Sequence, residues 1–303
     1  SSTSRGLGDV YKRQRYNRLM FRTNFSSKVI FFFIFFTGIS FADVQKIKNN
    51  FYSSLEQALG KSIKNTEFSI KSIQDTKPQI SIKTLQPIIK NENNIIFFQG
   101  SLFTHDRSRE TLNLGLGNRF LNDTENLMFG INAFYDHEFD YTHQRASIGA
   151  EIQSSILELN LNNYFAISDK KTGKNESKEE ALDGYDIEVG AHAPFIPTWK
   201  FYTKMFEFDV PSGNDLKGYE YSSEFLFSPL GLTLGVGRTD YDKHPDKFFF
   251  NIKYSLSDVD RSQNFIKNRA YEKVSMKDQL EKKVRRDNII KKDMGFGMKA
   301  GGF

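Results

Sequence analysis

The chain has no cysteine among its 303 residues. That excludes a disulfide framework, a thiol nucleophile and a thiolate metal site, and it is compatible with a precursor that crosses the periplasm. There is also no apolar run of the roughly 20 residues that a membrane-spanning helix needs. The run Val29–Phe36 is too short, and no other approaches that length. A catalytic constellation is missing as well. The five histidines are scattered, and His105-Asp106 and Asp136-His137 are neighbours whose side chains would point to opposite faces of a strand. With no nucleophile–base–orienter set in view, no catalytic residue, cofactor or metal site is expected. The LGLGNRF stretch holds Gly115 and Gly117 but lacks the third glycine and following helix of a phosphate-binding loop.

Excess positive charge is likewise absent once the N-terminus is set aside. Residues 1–19 are patternless and read as an adaptor-like or non-native leader. From Met20 come Arg22 and Lys28, the apolar run, and Ser40-Phe41-Ala42. This is the basic, apolar and small-residue order of a signal peptide over 20–42, cleaved after Ala42. Residues 1–42 hold seven Lys/Arg and one Asp, so the whole-chain charge of +5 becomes −1 in the remainder. No case for nucleic acid as a partner survives.

What the chain does have is aromatic residues, 15% of the total, with 30 Phe and 13 Tyr, in a composition only 38% hydrophobic. A mean hydropathy of −0.52 fits a soluble all-β protein. It also fits a barrel whose strands show lipid only one face. From Glu67 to Leu256 the hydrophobic period is two. In His143–Gln153, residues Gln144, Ala146, Ile148, Ala150 and Ile152 alternate with His143, Arg145, Ser147, Gly149, Glu151 and Gln153. Ionisable groups sit in mid-strand on the polar face. Many segments run to about ten residues, enough to cross a bilayer at a tilt, whereas soluble strands average about half that.

Twelve segments are predicted: 66–73, 78–88, 95–104, 110–120, 126–138, 143–153, 155–167, 184–193, 198–208, 218–228, 231–239 and 247–256. An even number returns both ends to the periplasm. The three longest connections, 168–183, 209–217 and 240–246, all fall on the outward parity. Short connections such as 194–197 and Ser228-Pro229-Leu230 fall on the other. The expected fold is therefore all-β: a twelve-stranded antiparallel transmembrane β-barrel over 66–260. A short periplasmic amphipathic helix over 43–65 precedes it, with apolar Val44, Ile47, Phe51, Leu55, Ala58 and Leu59 at helical spacing.

Residues 261–303 break the period. Arg261–Lys292 carries eleven basic and four acidic residues, with a weak apolar stripe of Val274, Met276 and Leu280. Residues 66–260 carry 19 basic and 29 acidic residues. A basic segment tethered to an acidic barrel is drawn into its lumen, and twelve strands leave room for one chain. The candidate lumen-facing residues that cradle this linker are Arg119, Asp136, Arg145, Glu151, Glu158, Asp186, Glu188 and Glu224. Gly115, Gly117 and Gly149 would make room for the occupant. Simple cross-strand charge pairing is the alternative role for the ionisable groups. Tyr185, Trp199, Tyr202, Tyr219, Tyr221 and Tyr254 are candidates for interfacial aromatic girdles.

Several stretches are similar to the β-domain of the intimin/invasin family, the inverse autotransporters. They are TLNLGLGNRFL (Thr111–Leu121), ENLMFGINAFYDHEF (Glu125–Phe139), HQRASIGAEIQ (His143–Gln153) and DGYDIEVGAHAPFIP (Asp183–Pro197). IKTLQPI (Ile82–Ile88) and RRDNII (Arg285–Ile290) resemble the family's early strand and the end of its pore linker. The resemblance covers about residues 50–292. It implies an outer-membrane translocator, made by the barrel-assembly machinery and embedded in lipid, whose linker threads the pore toward a C-terminal adhesin passenger. Two departures stand out. No peptidoglycan-binding module lies between Ala42 and the helix, and the sequence stops at Phe303 where a passenger would begin, as a fragment of a longer adhesin or a stand-alone barrel would. A stand-alone barrel acting as a passive pore or structural protein is the alternative, and a barrel enzyme is a third.

Overall fold

The computed structural model describes residues 65–105, 109–173, 177–256 and 265–293. Signal segment 20–42 with the Ala42 cleavage point, the 43–65 helix apart from its last residue, and the far end of the tail lie outside them. The barrel strands are β1 (Thr66–Ile73), β2 (Gln79–Lys90), β3 (Asn94–His105), β4 (Arg109–Leu121), β5 (Leu127–Glu138), β6 (Gln144–Ser154) and β7 (Leu157–Ala166). After an excursion come β10 (Gly184–Ala193), β11 (Ile196–Phe208), β12 (Leu216–Phe227), β13 (Leu232–Tyr241) and β14 (Lys247–Ser255). They pair in chain order as an antiparallel meander, and β1 closes on β14 through Phe68↔Tyr254 and Ile70↔Ile252. Closure gives every strand two neighbours, so no open ladder edge meets hydrocarbon, where each unsatisfied backbone group costs several kcal/mol.

These twelve strands are the expected twelve, with ends within two residues of those read from the period. Alternation sets the faces. In β4 the burial alternates residue by residue, with Arg109, Thr111, Asn113, Gly115, Gly117 and Arg119 inward and Leu114, Leu116 and Phe120 outward. Polar residues are buried and apolar ones exposed, the inverse of a soluble sheet. Arg119 is fully buried while Ile131 is 61% exposed. Outward apolar side chains on many strands, among them Ile80, Ile148, Phe165, Val189 and Phe201, form the face that meets lipid.

Turns at one end are short, and their sequences supply the needed backbone. Glu125 takes a positive φ of 56°, while the Asn122 Oδ1 accepts from Leu127 N at 3.0 Å. Gly231, at φ 65°, closes the Ser228–Leu230 turn, and a Cβ there would press on the Ser255 carbonyl. At the other end the 168–183 connection forms β8 (Lys171–Thr172) and β9 (Lys178–Ala181). These join β15 (Lys292–Asp293) in a small sheet, order β15-β9-β8. The period did not reveal these three strands, because two to four residues are too few to establish one.

Candidate functional site

The lumen is occupied by the chain's own downstream segment. Beyond β14, Phe265 stacks on the outward rings of Phe225 and Phe227 at 6.2 and 5.4 Å, at the short-turn rim. The Phe195 carbonyl accepts from Lys267 N (2.8 Å), and Phe195 N donates to the Ala270 carbonyl (2.9 Å). The segment then reaches the β4–β5 turn, where Met276 N donates to Glu125 O at 2.8 Å. From there it rises through the barrel and leaves at the long-loop end, where Lys292 pairs with Ala181 and Asp293 with Glu180.

Three forces hold it. The first is apolar. Met276, Leu280 and Val284 pack with Leu85, Ile95, Phe97, Leu121, Met128 and Phe134 in one buried cluster. The expected stripe is shifted by this: Val274 stays at the mouth, 52% exposed, and Val284 takes its place.

The second is the backbone. An extended chain inside a lumen has no ladder, so its amides and carbonyls need side-chain partners. Arg119 Nη1 donates to the carbonyls of Leu280 (2.8 Å) and Lys282. Arg145 donates to those of Asp287 (2.7 Å) and Ile289 (3.3 Å). Asn65, Asn113 and Asn162 donate to the carbonyls of Glu281, Asn288 and Arg285. The Gln99 Oε1 accepts from Val284 N (2.8 Å), and the Tyr164 hydroxyl accepts from Asp287 N (2.7 Å).

The third is charge. Arg286 forms a two-toothed pair with Asp136 at 2.9 and 2.7 Å, also donates to Ser147 Oγ, and stacks over Phe134 at 4.4 Å. Arg285 pairs with Glu188 and reaches Glu224 at 3.3 Å. Lys282 sits between both oxygens of Glu158, at 2.8 and 2.9 Å, beside Lys200.

All eight lumen candidates face inward. Arg119, Asp136, Arg145, Glu158, Glu188 and Glu224 contact the linker directly. Glu151 binds Arg119 at 2.9 Å and so orients it. Asp186 accepts from Asn162 and from the Tyr164 hydroxyl, at 2.7 and 2.6 Å, and through them bears on the linker.

Gly115, Gly117 and Gly149 also face inward, but the space they leave is taken by wall side chains rather than by the linker. A Cβ would overlap Phe134 at Gly115, Phe97 at Gly117, and the Asn132 and Asn162 amides at Gly149. Those rings in turn lie under guanidiniums, Phe134 under Arg286 and Phe97 under Arg119.

The girdle expectation needs one correction. Tyr185, Trp199, Tyr219, Tyr221 and Tyr254 point outward by strand parity. Tyr202 does not: it is buried in the lumen, 3.7 Å under the Arg285 guanidinium, with its hydroxyl 3.4 Å from Glu158. Lys200 and Lys204, two residues to either side, mark that face as the wet one. The same parity could have found Asn113, Asn162 and Tyr164. Gln99 shares its inward face with apolar Ile95 and Phe97, and Asn65 precedes the first strand, so parity marked neither.

At the long-loop mouth a compact charge cluster holds the emerging end. Arg109 bridges Glu138 (2.8 Å) and Glu179 (2.6 Å), and Lys292 of the linker pairs with Glu138. His143 Nε2 lies 3.3 Å from Glu179 and His105 Nε2 3.6 Å from Glu138. Burial alone would raise the Glu179 carboxyl. The hydrogen bonds from His143 and Arg109, with the Arg109 charge, outweigh it and hold the group down to about 2. Ligand atoms of Glu138, His143 and Glu179 lie within 4.8 Å of one another, close enough for a metal ion. Arg109 and Lys292 already neutralise both carboxylates, and a divalent cation would have to displace them.

Wet charged interior, apolar exterior and closed ladder define a bacterial outer-membrane barrel, and a threaded downstream segment sets it apart from an open porin. The family described as "Inverse autotransporter, beta-domain" matches residues 40–288, and the chain belongs to it. An attaching and effacing protein homolog of Escherichia coli (strain K12) is 28% identical over 212 residues, 66% of this chain and 68% of that one. The inverse autotransporter adhesin YeeJ of the same strain is 26% identical over 58% of this chain. Invasin of Yersinia enterocolitica is 27% identical over 60%. The matched region spans only 7% of YeeJ and 23% of invasin. A solved structure from a study of in-meso crystallization of membrane proteins superposes with a TM-score of 0.63. It is 20% identical, and the match covers 76% of this chain and 99% of that one, a likeness of fold.

Proposed function

We propose that this barrel anchors and exports a passenger joined to the C-terminal side of the linker, and that residues 265–293 remain in the pore as the tether. The supporting observation is the direction of the threaded chain. It enters at the short-turn end and leaves at the long-loop end, paired there with β9. In bacterial barrels short turns face the periplasm and long loops the outside, so the tether ends at the cell surface. The eight inward charges act as its cradle, and the outward apolar belt contacts outer-membrane lipid after insertion by the barrel-assembly machinery. A signal peptide over 20–42 delivers the precursor to the periplasm. The site has no catalytic role in this reading, and the energy of export comes from folding outside.

An epitope tag fused after Phe303 tests it. Intact cells should bind the tag antibody, and protease added outside should remove the tag. A tag detected only after the outer membrane is permeabilised would overturn the proposal.

A further inference from the structure

The linker fills the lumen off-centre. Its apolar contacts and most of its backbone contacts fall on the β2–β7 side, Asn65 at the foot of β1 also holds the Glu281 carbonyl, and Arg285, unlike its neighbour Arg286, reaches β10 and β12. Beside it a cavity of about 1040 Å³ runs the height of the opposite wall. Along β1 the cavity is lined at every inward position from Asn65 and Glu67 to Lys71 and Ile73, and along β14 from Ser255 to Phe249. Its wall is charged. Lys71 and Lys204 share Glu220 at 3.7 and 3.2 Å, and Lys253 binds Glu224 at 2.8 Å. Among the described lining residues, fourteen are Lys or Arg and ten are Asp or Glu; the barrel wall holds six of each, and the linker supplies the cationic excess. Polar walls of this size hold water. At the long-loop end the lining becomes apolar: Ile73, Phe103, Phe206, Phe249 and Tyr241.

We propose that the threaded barrel retains a second lane, an anion-preferring conduit for small ions between the linker and the β1/β11–β14 wall, with the aromatic collar at its outer end as the constriction. Lysine-rich pore linings favour anions, and apolar rings gate by controlling hydration. The lane exists with the linker in place, so its current is not a sign of unplugging. Whatever the fate of a passenger, this activity belongs to the barrel and tether alone.

The test is single-channel recording of the full chain in a planar bilayer, with the tether locked. Glu180 and Asp293 face each other across the β9–β15 pair. Opposed residues of an antiparallel pair lie within disulfide reach. Because the chain has no other cysteine, Glu180→Cys with Asp293→Cys gives one defined bond that pins the outgoing end. The oxidised protein should show unit steps equal to those of the reduced protein, with a reversal potential favouring chloride in a KCl gradient. Lys71→Glu with Lys204→Glu should invert the sign of that potential, and Phe249→Ala should enlarge the steps. Folding of each variant is checked by the heat-dependent gel shift of intact barrels. An oxidised lock that carries no current would overturn the proposal, since any current would then come from tether exit. An unchanged reversal potential in a folded double-lysine variant would overturn it as well.

Discussion

Asp136 is where the charge that holds the tether is most concentrated, and neutralising it should free the linker more than removing the linker's own cation, Arg286, does. The carboxylate is fully buried between Arg145 (2.8 Å) on the barrel and Arg286 (2.7 Å) on the linker, with Asn113 donating to it at 2.7 Å. Asp136→Asn keeps the shape but leaves two guanidiniums facing each other without an anion. Removing one partner of a buried pair costs about 3–5 kcal/mol. Arg145 keeps its linker carbonyls, which places the loss near the lower figure. About 3 kcal/mol corresponds to roughly a hundredfold rise in the tether-free population. Arg286→Met should cost less, because Asp136 keeps Arg145 and Asn113. The double variant Asp136→Asn/Arg286→Met should recover part of the loss, because it deletes the surplus cation. Hydrogen exchange of the backbone amides of 283–292 in detergent-folded protein reads this population. Arg286→Met exchanging faster than Asp136→Asn, or a double variant worse than both singles, would refute the reasoning.

Gly117→Val should impair assembly, because a side chain there meets the Phe97 ring and overpacking costs about 1–3 kcal/mol. The heat-shifted fraction in gels should fall, and Phe97→Leu in the same chain should restore part of it. The outer latch should loosen in acid. A carboxyl whose folded value is depressed lends stability above its ordinary value and loses it as pH falls toward the folded one. For Glu179 that window runs from 4.5 down to about 2. Protease cleavage near residue 293 should accelerate over that range, and in Glu179→Gln the acceleration should be largely absent.

The sequence by itself determined the barrel. Alternation is a local property, so strand number, strand ends and the inward charges of β4 to β7 could be read from neighbouring residues, and loop parity added the sorting of the two ends. It also marked residues 261–292 as an oppositely charged tenant, since net charge needs no coordinates. Only the tertiary structure decided which side chain meets which. Arg119 finds Leu280 and Arg286 finds Asp136 across 161 and 150 residues, separations at which no period carries information. The inward turn of Tyr202, the filling of the glycine gaps by Phe97 and Phe134, and the mouth cluster of Arg109, Glu138, Glu179 and Lys292 have the same origin. Each depends on a shape that exists only once β1 has closed on β14 and the linker has settled against its wall.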